Sequence, residues 1–320
     1  MNDKDAGVKR SWALMPLLLL LGVFPLAARD LTLVVIPKSE DQDYWKFVRR
    51  GVERAIAEAG NVHLIWRGPA YNDDTDQQIR IVERYTEPGT DAILLCPTDR
   101  DKLVPPVKAA AEKGIPVIVF DSALAGTAHR GFVATNNRAA GRLAAQAVVA
   151  DEGLEGNVLI LRTTMGSDST DQRAEGFLEE LRSVAPRTQV LADVWGGGST
   201  GKTYHAALEL LAKWQRPTAI FAVNESATEG MLQALTEKGL AGQVPLWGFD
   251  SAPPLLDALD RGQIRGLVVQ DPDSMGYQAV KMALEVLGGA NLKSAERWTD
   301  AVLVTRANRN QPQIQKLLVP

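Results

Sequence analysis

Short apolar runs alternate with amphipathic segments along most of the chain. The first apolar run is LTLVVIP at residues 31–37, and the helix-period segment YWKFVRRGVERAIAEAG follows it at residues 44–60. Further apolar runs are VHLIW, DAILLCP, IPVIVFD, GNVLILR, QVLADVW, TAIFAVN, VPLWGFD and IRGLVVQ, with helix-period segments between most of them. Continuous apolar strands between amphipathic helices predict parallel sheets covered on both faces, the doubly wound α/β class.

An internal repeat refines this prediction. DAILLCPTD, a helix ending in Glu-Lys-Gly, and IPVIVFDS occupy residues 91–122, and TAIFAVNES, a second such helix and VPLWGFDS occupy residues 218–251. The repeat predicts two similar lobes, and a length of 320 residues suits two domains. Ligands of open parallel sheets bind beyond the carboxyl ends of strands, so facing lobes would direct Asp121 and Asp250 into one cleft.

The paired aspartates indicate the chemistry of the ligand. An aspartate between a strand and a helix is also a common N-cap, and either residue taken alone has that alternative. As a repeated pair, Asp121 and Asp250 are better explained as ligand groups, because an ionised carboxylate accepts strong hydrogen bonds from two neighbouring hydroxyls. We therefore expect a neutral, polyhydroxylated ligand.

Other polar and aromatic side chains stand at strand ends or helix starts. Asn224 and Gln270 end strands, and their amides offer a donor and an acceptor on one group. Arg173 lies near a helix start and presents a planar fork of donors, although alone it is more simply a solvent-facing residue. Tyr44 and Trp45 open the first helix, where a ring can stack on a sugar or can simply pack that helix on the sheet.

The N-terminus predicts export. Lys9 and Arg10 precede an apolar stretch at residues 12–26, and Leu-Ala-Ala ends at Ala28. This pattern is typical of a secretory signal peptide at residues 1–28, cleaved near Ala28, and places the mature chain in the periplasm. The alternative is a membrane anchor, but the apolar stretch is shorter than the roughly 20 residues that a spanning helix needs.

Composition and spacing exclude several classes of function. A formal charge of −4 provides no basic field for nucleic acid. One cysteine, Cys96, and three dispersed histidines match no metal site, and we expect neither a metal nor a cofactor. No nucleophile with a base stands out, and Ser122 and Ser251 lie outside any G-x-S-x-G motif, so an enzyme is not expected.

One motif favours a different function. Residues 196–203, GGGSTGKT, match the nucleotide-binding pattern G-x-x-x-x-G-K-[ST]. Export argues against a nucleotide, as does a loop that we place after the third strand of its lobe, since phosphate loops normally follow the first. Backbone N–H groups near Lys202 still suit an anionic group, yet we expect Lys202→Ala to leave ligand affinity almost unchanged.

The order of motifs resembles the periplasmic solute-binding proteins of the ribose-binding type, which feed ABC importers. The resemblance runs from about Leu31 to the C-terminus and is carried by PKSEDQDYWKFVRRGVE, GTDAILLCPTD, GIPVIVFDS, FVATNNRAAGRLA, STDQRAEGF, FAVNES, GFDSAP and VVQDPDSMGY. It implies a monomer of two Rossmann-like lobes that closes over its ligand and is recognised by an inner-membrane ABC permease. The implied crossings between lobes lie near Thr135, Gln270 and Trp298. The lobes would then span residues 29–135 plus 271–298 and residues 136–270 plus 299–320.

The resemblance also assigns roles to residues. It implies that Tyr44 and Trp45 stack on the ligand and that Asp121 and Asp250 accept its hydroxyls. It adds a polar shell of Arg173, Asn224, Gln270 and Lys38, the last from the Pro-Lys version of the first motif.

Three positions depart from the ribose pattern. Cys96 stands where an Asn is usual, Ser122 replaces an Arg, and Gln42 lies near the usual Asn. Buried polar partners are what reject a wrong hydroxyl pattern, so these changes predict a small sugar or polyol other than ribose.

Two other functions share this shape. A periplasmic sensing subunit would report the solute to a sensor kinase or chemoreceptor instead of a permease. A sugar-responsive repressor would need a DNA-binding head, and residues 1–30 resemble a signal peptide instead.

Overall fold

The computed structural model describes residues 29–153, 155–292 and 295–318, so the predicted signal peptide at residues 1–28 lies outside the described residues. The described chain forms two six-stranded sheets. The first sheet has the spatial order β11 (Ala295–Thr299), β5 (Gly131–Thr135), β4 (Val117–Phe120), β3 (Ala92–Leu95), β1 (Leu31–Ile36) and β2 (Val62–Trp66). The second has the order β12 (Ala301–Val304), β10 (Gly266–Gln270), β9 (Leu246–Phe249), β8 (Ala219–Ala222), β6 (Asn157–Arg162) and β7 (Gln189–Trp195).

Helices cover both sheets. The first lobe carries α1 (Tyr44–Ala59), α2 (Thr75–Tyr85), α3 (Val104–Glu112) and α9 (Pro272–Leu287). The second lobe carries α4 (Asn137–Glu152), α5 (Asp168–Val184), α6 (Thr200–Lys213), α7 (Glu225–Glu237), α8 (Pro253–Asp260) and α10 (Pro312–Leu318). All strand pairs are parallel except β10 with β12, which is antiparallel. The predicted class of two doubly wound lobes is confirmed.

The central strands are fully apolar because both faces of each sheet are covered. Every residue of β3, β4, β8, β9 and β10 is buried. Burial of this kind, at roughly 25 cal/mol per Å² of apolar surface, holds each lobe together. The strand ends are therefore fixed points on which polar groups can be placed.

The chain passes between the two sheets three times, after β5, after β10 and after β11. The crossing segments touch one another, since the Thr135 hydroxyl donates to Gln270 Oε1 at 2.8 Å. The Thr135 and Thr299 hydroxyls lie 3.2 Å apart. All three crossings are thus joined by buried hydrogen bonds.

Two helix pairs are in very close backbone contact through glycines on both helices, α1 with α9 in the first lobe and α4 with α5 in the second. A Cβ atom on Gly51 would lie 1.8 Å from the Asp273 carbonyl oxygen, and one on Gly141 would lie 2.0 Å from the Arg173 carbonyl oxygen. Only glycine permits helix backbones to approach so closely. The facing helices repeat the arrangement with Gly276 and Gly176.

Several element boundaries differ from the predictions. In the sequence, the amphipathic patterns of α5, α6, α7 and α9 start at Gln172, Tyr204, Thr228 and Met275. The helices themselves begin three or four residues earlier, at Asp168, Thr200, Glu225 and Pro272. Their first turns consist of polar and small residues, which carry no hydrophobic period. The pattern also omitted β5, α4, β11, β12 and α10; α4 buries mainly alanine and glycine, which give a weak apolar signal. Among the described residues, no helix is both long enough and apolar enough to cross a membrane.

Candidate ligand-binding site

A pocket lies between the lobes, where the carboxyl ends of the strands face each other. It is lined by all eight residues that the sequence analysis selected: Lys38, Tyr44, Trp45, Asp121, Arg173, Asn224, Asp250 and Gln270.

Asp121 and Asp250 adopt the same unusual backbone conformation. Their φ angles are +63° and +69°, and they are the non-glycine residues with positive φ in the described chain. Each backbone N–H still donates to a neighbouring strand, to Val133 O at 2.8 Å and to Val268 O at 2.9 Å. The left-handed turn ends the strand at the aspartate, and aspartate tolerates this region better than most residues do. The internal repeat of the sequence is therefore also a repeat of backbone geometry at the site.

Asp121 sits within a buried network of the first lobe. Its carboxylate accepts from the Tyr44 hydroxyl at 2.7 Å and the Cys96 thiol at 3.1 Å, and Lys38 Nζ lies 3.7 Å away. Burial, together with the charge of Asp121, raises the pKa of Tyr44 and the pKa of Cys96 well above their ordinary values. Both groups therefore stay protonated and act as donors to the carboxylate.

Asp250 has its own partners in the second lobe. It accepts from Gln270 Nε2 at 2.7 Å and from the Glu225 N–H at 3.0 Å. Burial raises the pKa of Asp250, and the nearby positive charge of Arg173 only partly opposes this. Asp250 does not cap the following helix, because α8 begins after Ala252 without a side-chain cap.

Arg173 is a buried residue, which overturns the simpler solvent-facing interpretation. Its side chain packs over the Phe249 ring, 4.0 Å from the guanidinium carbon to the ring centroid. Nε donates to Asn137 Oδ1 at 2.8 Å and Nη1 to Val223 O at 3.0 Å. These contacts fix the guanidinium plane at the cavity wall.

The two aromatic residues confirm the packing interpretation, and stacking on a sugar stays a prediction. Tyr44 and Trp45 are buried in the core of the first lobe and also line the cavity. Their rings meet edge to face at 5.0 Å, and Trp45 Nε1 donates to the Ser39 hydroxyl at 3.1 Å. Asn224 also lines the cavity, and its side chain accepts from the Ala227 N–H and caps α7.

The lobes are in contact around the cavity. Lys38 Nζ donates across the cleft to the hydroxyls of Ser167 at 2.9 Å and Ser169 at 3.0 Å. The Glu225 carboxylate accepts from the N–H groups of Asp43 at 2.8 Å and Tyr44 at 3.0 Å, at the start of α1. Burial, and then the charge of Asp250, raise the pKa of Glu225 well above its ordinary value.

Charges within the wall are nearly balanced. The cations of Lys38 and Arg173 stand against the carboxylates of Asp121 and Asp250. A net charge on a buried ligand would therefore be uncompensated and costly to desolvate. The wall suits an uncharged, polar molecule.

Polar residues of the wall outside those eight include Gln42, Asn72 and Thr164. The sequence analysis considered Gln42 only as a departure from the ribose pattern, and it did not consider Asn72 or Thr164. Gln42 Nε2, Asn72 Oδ1 and Thr164 Oγ1 are buried and have no hydrogen-bond partner within the described chain. Unpaired buried polar atoms are rare, and three of the eight found in the described residues line this one cavity. Thr164 follows β6 by two residues, so the strand-end rule that selected Asn224 could also have selected it.

No group of three or more histidine, cysteine or acidic side chains in the described parts of the chain is arranged to hold a metal ion. The chemistry of the wall is instead that of hydrogen bonds to a polar ligand, with aromatic rings on one side.

Comparison with known proteins agrees with this geometry. Residues 33–291 match the family described as periplasmic binding protein domain. A carbohydrate transporter solute binding protein from Agrobacterium radiobacter, in complex with D-arabinose, is 34% identical, with a TM-score of 0.86 over 92% of this chain and 100% of that one. The periplasmic component of an ABC-type sugar transport system from Hahella chejuensis is 37% identical, with a TM-score of 0.82 over 86% of this chain and 100% of that one. The xylitol-binding protein of Mycolicibacterium smegmatis is 28% identical over 83% of this chain and 74% of its own length.

Proposed function

The chain belongs to the periplasmic binding protein domain family, and from that premise we propose that it captures a small neutral sugar or polyol in its interlobe cavity. The observation that carries the proposal is the pair of buried carboxylates at one cavity, Asp121 and Asp250, balanced by Lys38 and Arg173. Carboxylates that already accept one or two hydrogen bonds still have lone pairs for ligand hydroxyls. Relatives named for xylitol binding or solved with D-arabinose support this ligand class.

The proposed ligand-binding residues are those eight residues together with Gln42, Asn72 and Thr164. Tyr44 and Trp45 offer apolar ring surface to the C–H face of the ligand. The carboxylates, amides and Arg173 read its hydroxyl groups from both lobes. A ligand held by both lobes binds the closed form better than the open form and therefore shifts the population toward closure.

Closure is a hinge motion in this proposal. The lobes, residues 29–135 plus 271–298 and residues 136–270 plus 299–320, rotate about the three crossings, where Thr135 and Gln270 meet. Hinge closure around a ligand is an established motion of periplasmic binding proteins. The closed monomer then delivers its ligand to an inner-membrane ABC permease.

Export and the absence of catalysis complete the proposal. We infer that residues 1–28 direct the chain to the periplasm and that the protein is a carrier and not an enzyme. The relatives reported above are named for binding or transport.

A thermal-shift screen tests the ligand class. The mature chain from Arg29 is heated with D-arabinose, xylitol, D-ribose and, as a charged control, glucose 6-phosphate. Ligand at about 100 times its Kd stabilises the folded state by about 2.7 kcal/mol, which gives an upward shift in Tm. A shift with the charged compound and none with any neutral sugar or polyol would contradict the proposal.

Deletion of the gene in the host cell distinguishes a transport function from a sensing function. Deleting the gene should abolish high-affinity uptake of the sugar identified in the screen. Unchanged uptake, with a lost transcriptional or chemotactic response to that sugar, would favour the sensing function instead.

A further inference from the structure

The loop at residues 196–203, which matches a nucleotide-binding pattern, holds an anion supplied by the protein itself. Asp73 of the first lobe reaches across the cleft, and its Oδ2 accepts from the Gly198 N–H at 3.1 Å and from Lys202 Nζ at 2.6 Å. A backbone N–H and a lysine are the donors that such a loop would offer a phosphate. The loop follows β7, which is the second strand of its lobe in chain order. The prediction that it follows the third strand is wrong.

Two glycines make this contact possible. Gly197 has a φ of +100°, and a Cβ there would lie 2.8 Å from Lys202 Cβ. A Cβ on Gly198 would lie 2.5 Å from the Asp73 backbone nitrogen, a distance that no real side chain tolerates. The loop is therefore shaped to let Asp73 approach.

The electrostatics of the contact favour an ionised Asp73. Burial raises the pKa of Asp73, but hydrogen bonds from Lys202 and the Gly198 N–H outweigh it and lower the pKa overall. The contact is partly open to water, since the Lys202 side chain is 59% exposed and that of Asp73 is 19% exposed. Its strength is that of a partly screened ion pair plus one backbone hydrogen bond.

The contact also acts on the cavity through the neighbouring residue. Asn72 precedes Asp73 in the loop between β2 and α2, is buried, and lines the cavity with Oδ1 unpaired among the described residues. Because Asn72 and Asp73 are adjacent in the chain, the contact of Asp73 with the second lobe restrains Asn72 at the cavity wall. Asp73 is in this sense a positioning residue for Asn72.

We propose that residues 196–203 form a closure latch, which captures Asp73 when the lobes meet and thereby positions Asn72 at the cavity wall. The latch is independent of the ligand, because all of its donors and acceptors belong to the protein. The proposal rests on the closing motion proposed above but on no particular sugar.

Paramagnetic relaxation in the ligand-free protein tests the latch. A nitroxide is attached at Glu209→Cys, an exposed position on α6, in a chain whose buried native Cys96 is replaced by serine. Relaxation of amides near the exposed Arg80 on α2 then measures even a minor closed population. We expect Gly198→Ala and Asp73→Ala to lower the closed population at least about five-fold, and Lys202→Met about two- to five-fold.

Gly201→Ala is the matched control, since no atom lies within 4 Å of the Cβ it would add to the same loop. It should leave the closed population at the wild-type value. A Gly198→Ala protein as closed as the wild type would overturn the latch, as would a wild type without any enhancement across the cleft. If the Gly198→Ala protein has a low Tm and does not fold, Lys202→Met serves as the test instead, because Lys202 is mostly exposed. A Lys202→Met protein with the same closed population as the wild type would overturn the latch. Because no sugar is present, an error in the ligand class leaves the result unaffected.

Discussion

Replacing Asp250 with asparagine removes one charge from the cavity and leaves the backbone in place. Asp250 has a φ of +69°, and asparagine is among the few residues that accept the left-handed region at low cost. The side chain keeps its size and one oxygen. Any loss of binding in Asp250→Asn therefore reports on the carboxylate and not on the strand end.

The structure sets the size of the effect. The carboxylate accepts from Gln270 and from the Glu225 N–H, one bond on each oxygen. An amide nitrogen in place of one oxygen faces a donor with a donor, at a cost of about 1–3 kcal/mol. Hydrogen bonds from ligand hydroxyls to a charged acceptor contribute about 1.5–3 kcal/mol, so Kd should rise about 10- to 150-fold. Alanine at Asp250 or at Asp121 should cost about 2 kcal/mol of binding or more, and it adds about 1–2 kcal/mol of backbone strain to the fold.

Isothermal titration calorimetry at pH 7 measures Kd for the sugar with the largest thermal shift. Asp257→Asn, an exposed aspartate on α8 of the same lobe, is the control and should bind like the wild type. Denaturation in urea shows whether each variant remains folded. An Asp250→Asn protein with a Kd within two-fold of the wild type would refute the assignment of this carboxylate to the ligand.

Three further predictions follow from packing and charge. Burial raises the pKa of Glu225 above its ordinary 4.5, so the stability that this group contributes below pH 4.5 is lost as the pH rises through the raised pKa. Glu225→Gln should flatten this decline in the free energy of unfolding, measured in urea between pH 5 and pH 8. A steeper decline in the variant would contradict a raised pKa for Glu225. Gly141→Ala should cost about 2 kcal/mol of unfolding free energy by separating α4 from α5, whereas Gly201→Ala should change it by less than about 0.5 kcal/mol in the same denaturation assay. Arg173→Lys loses the planar fork over Phe249 and should weaken sugar binding about ten-fold by calorimetry; unchanged affinity would show that the fork is not used.

The sequence predicts the parts of this site that topology alone places. Asp121 and Asp250 follow buried strands directly, Asn224 comes two residues after one, and Gln270 is the last residue of another. The carboxyl ends of parallel strands must meet at one edge of each sheet. The repeated Phe-Asp-Ser marks the aspartates further. For these residues, predicting the strand also predicts that the side chain lies at the edge of the sheet that faces the cleft.

Other parts depend on the relation between lobes, which local patterns do not contain. Glu225 contacts the start of α1, and the residues of that contact are separated by 182 positions in the chain. The Asp73 carboxylate and Lys202 are 129 positions apart. Because neither contact repeats along the chain, no periodicity indicates it, and the residues appear in the sequence as ordinary surface charges.

The solvent-facing interpretation of Arg173 was wrong for a different reason. It lies in the early part of α5, whose first turn is Asp-Ser-Thr-Asp, and such a turn reads as solvent-exposed. In the structure this turn faces the other lobe and is largely buried. Polar composition at a helix start therefore indicated a site rather than a surface.

The left-handed turns at residues 121 and 250 restrict how the protein can acquire a new ligand. Only aspartate, asparagine and glycine adopt such a backbone readily. Each of these two positions is therefore limited to two polar residue types and glycine, which has no side chain. Divergence toward another sugar must therefore proceed through the loop positions around the tips, such as Gln42, Asn72 and Thr164, where the backbone accepts many side chains. Libraries aimed at altered selectivity should randomise those loops and leave the two tips unchanged.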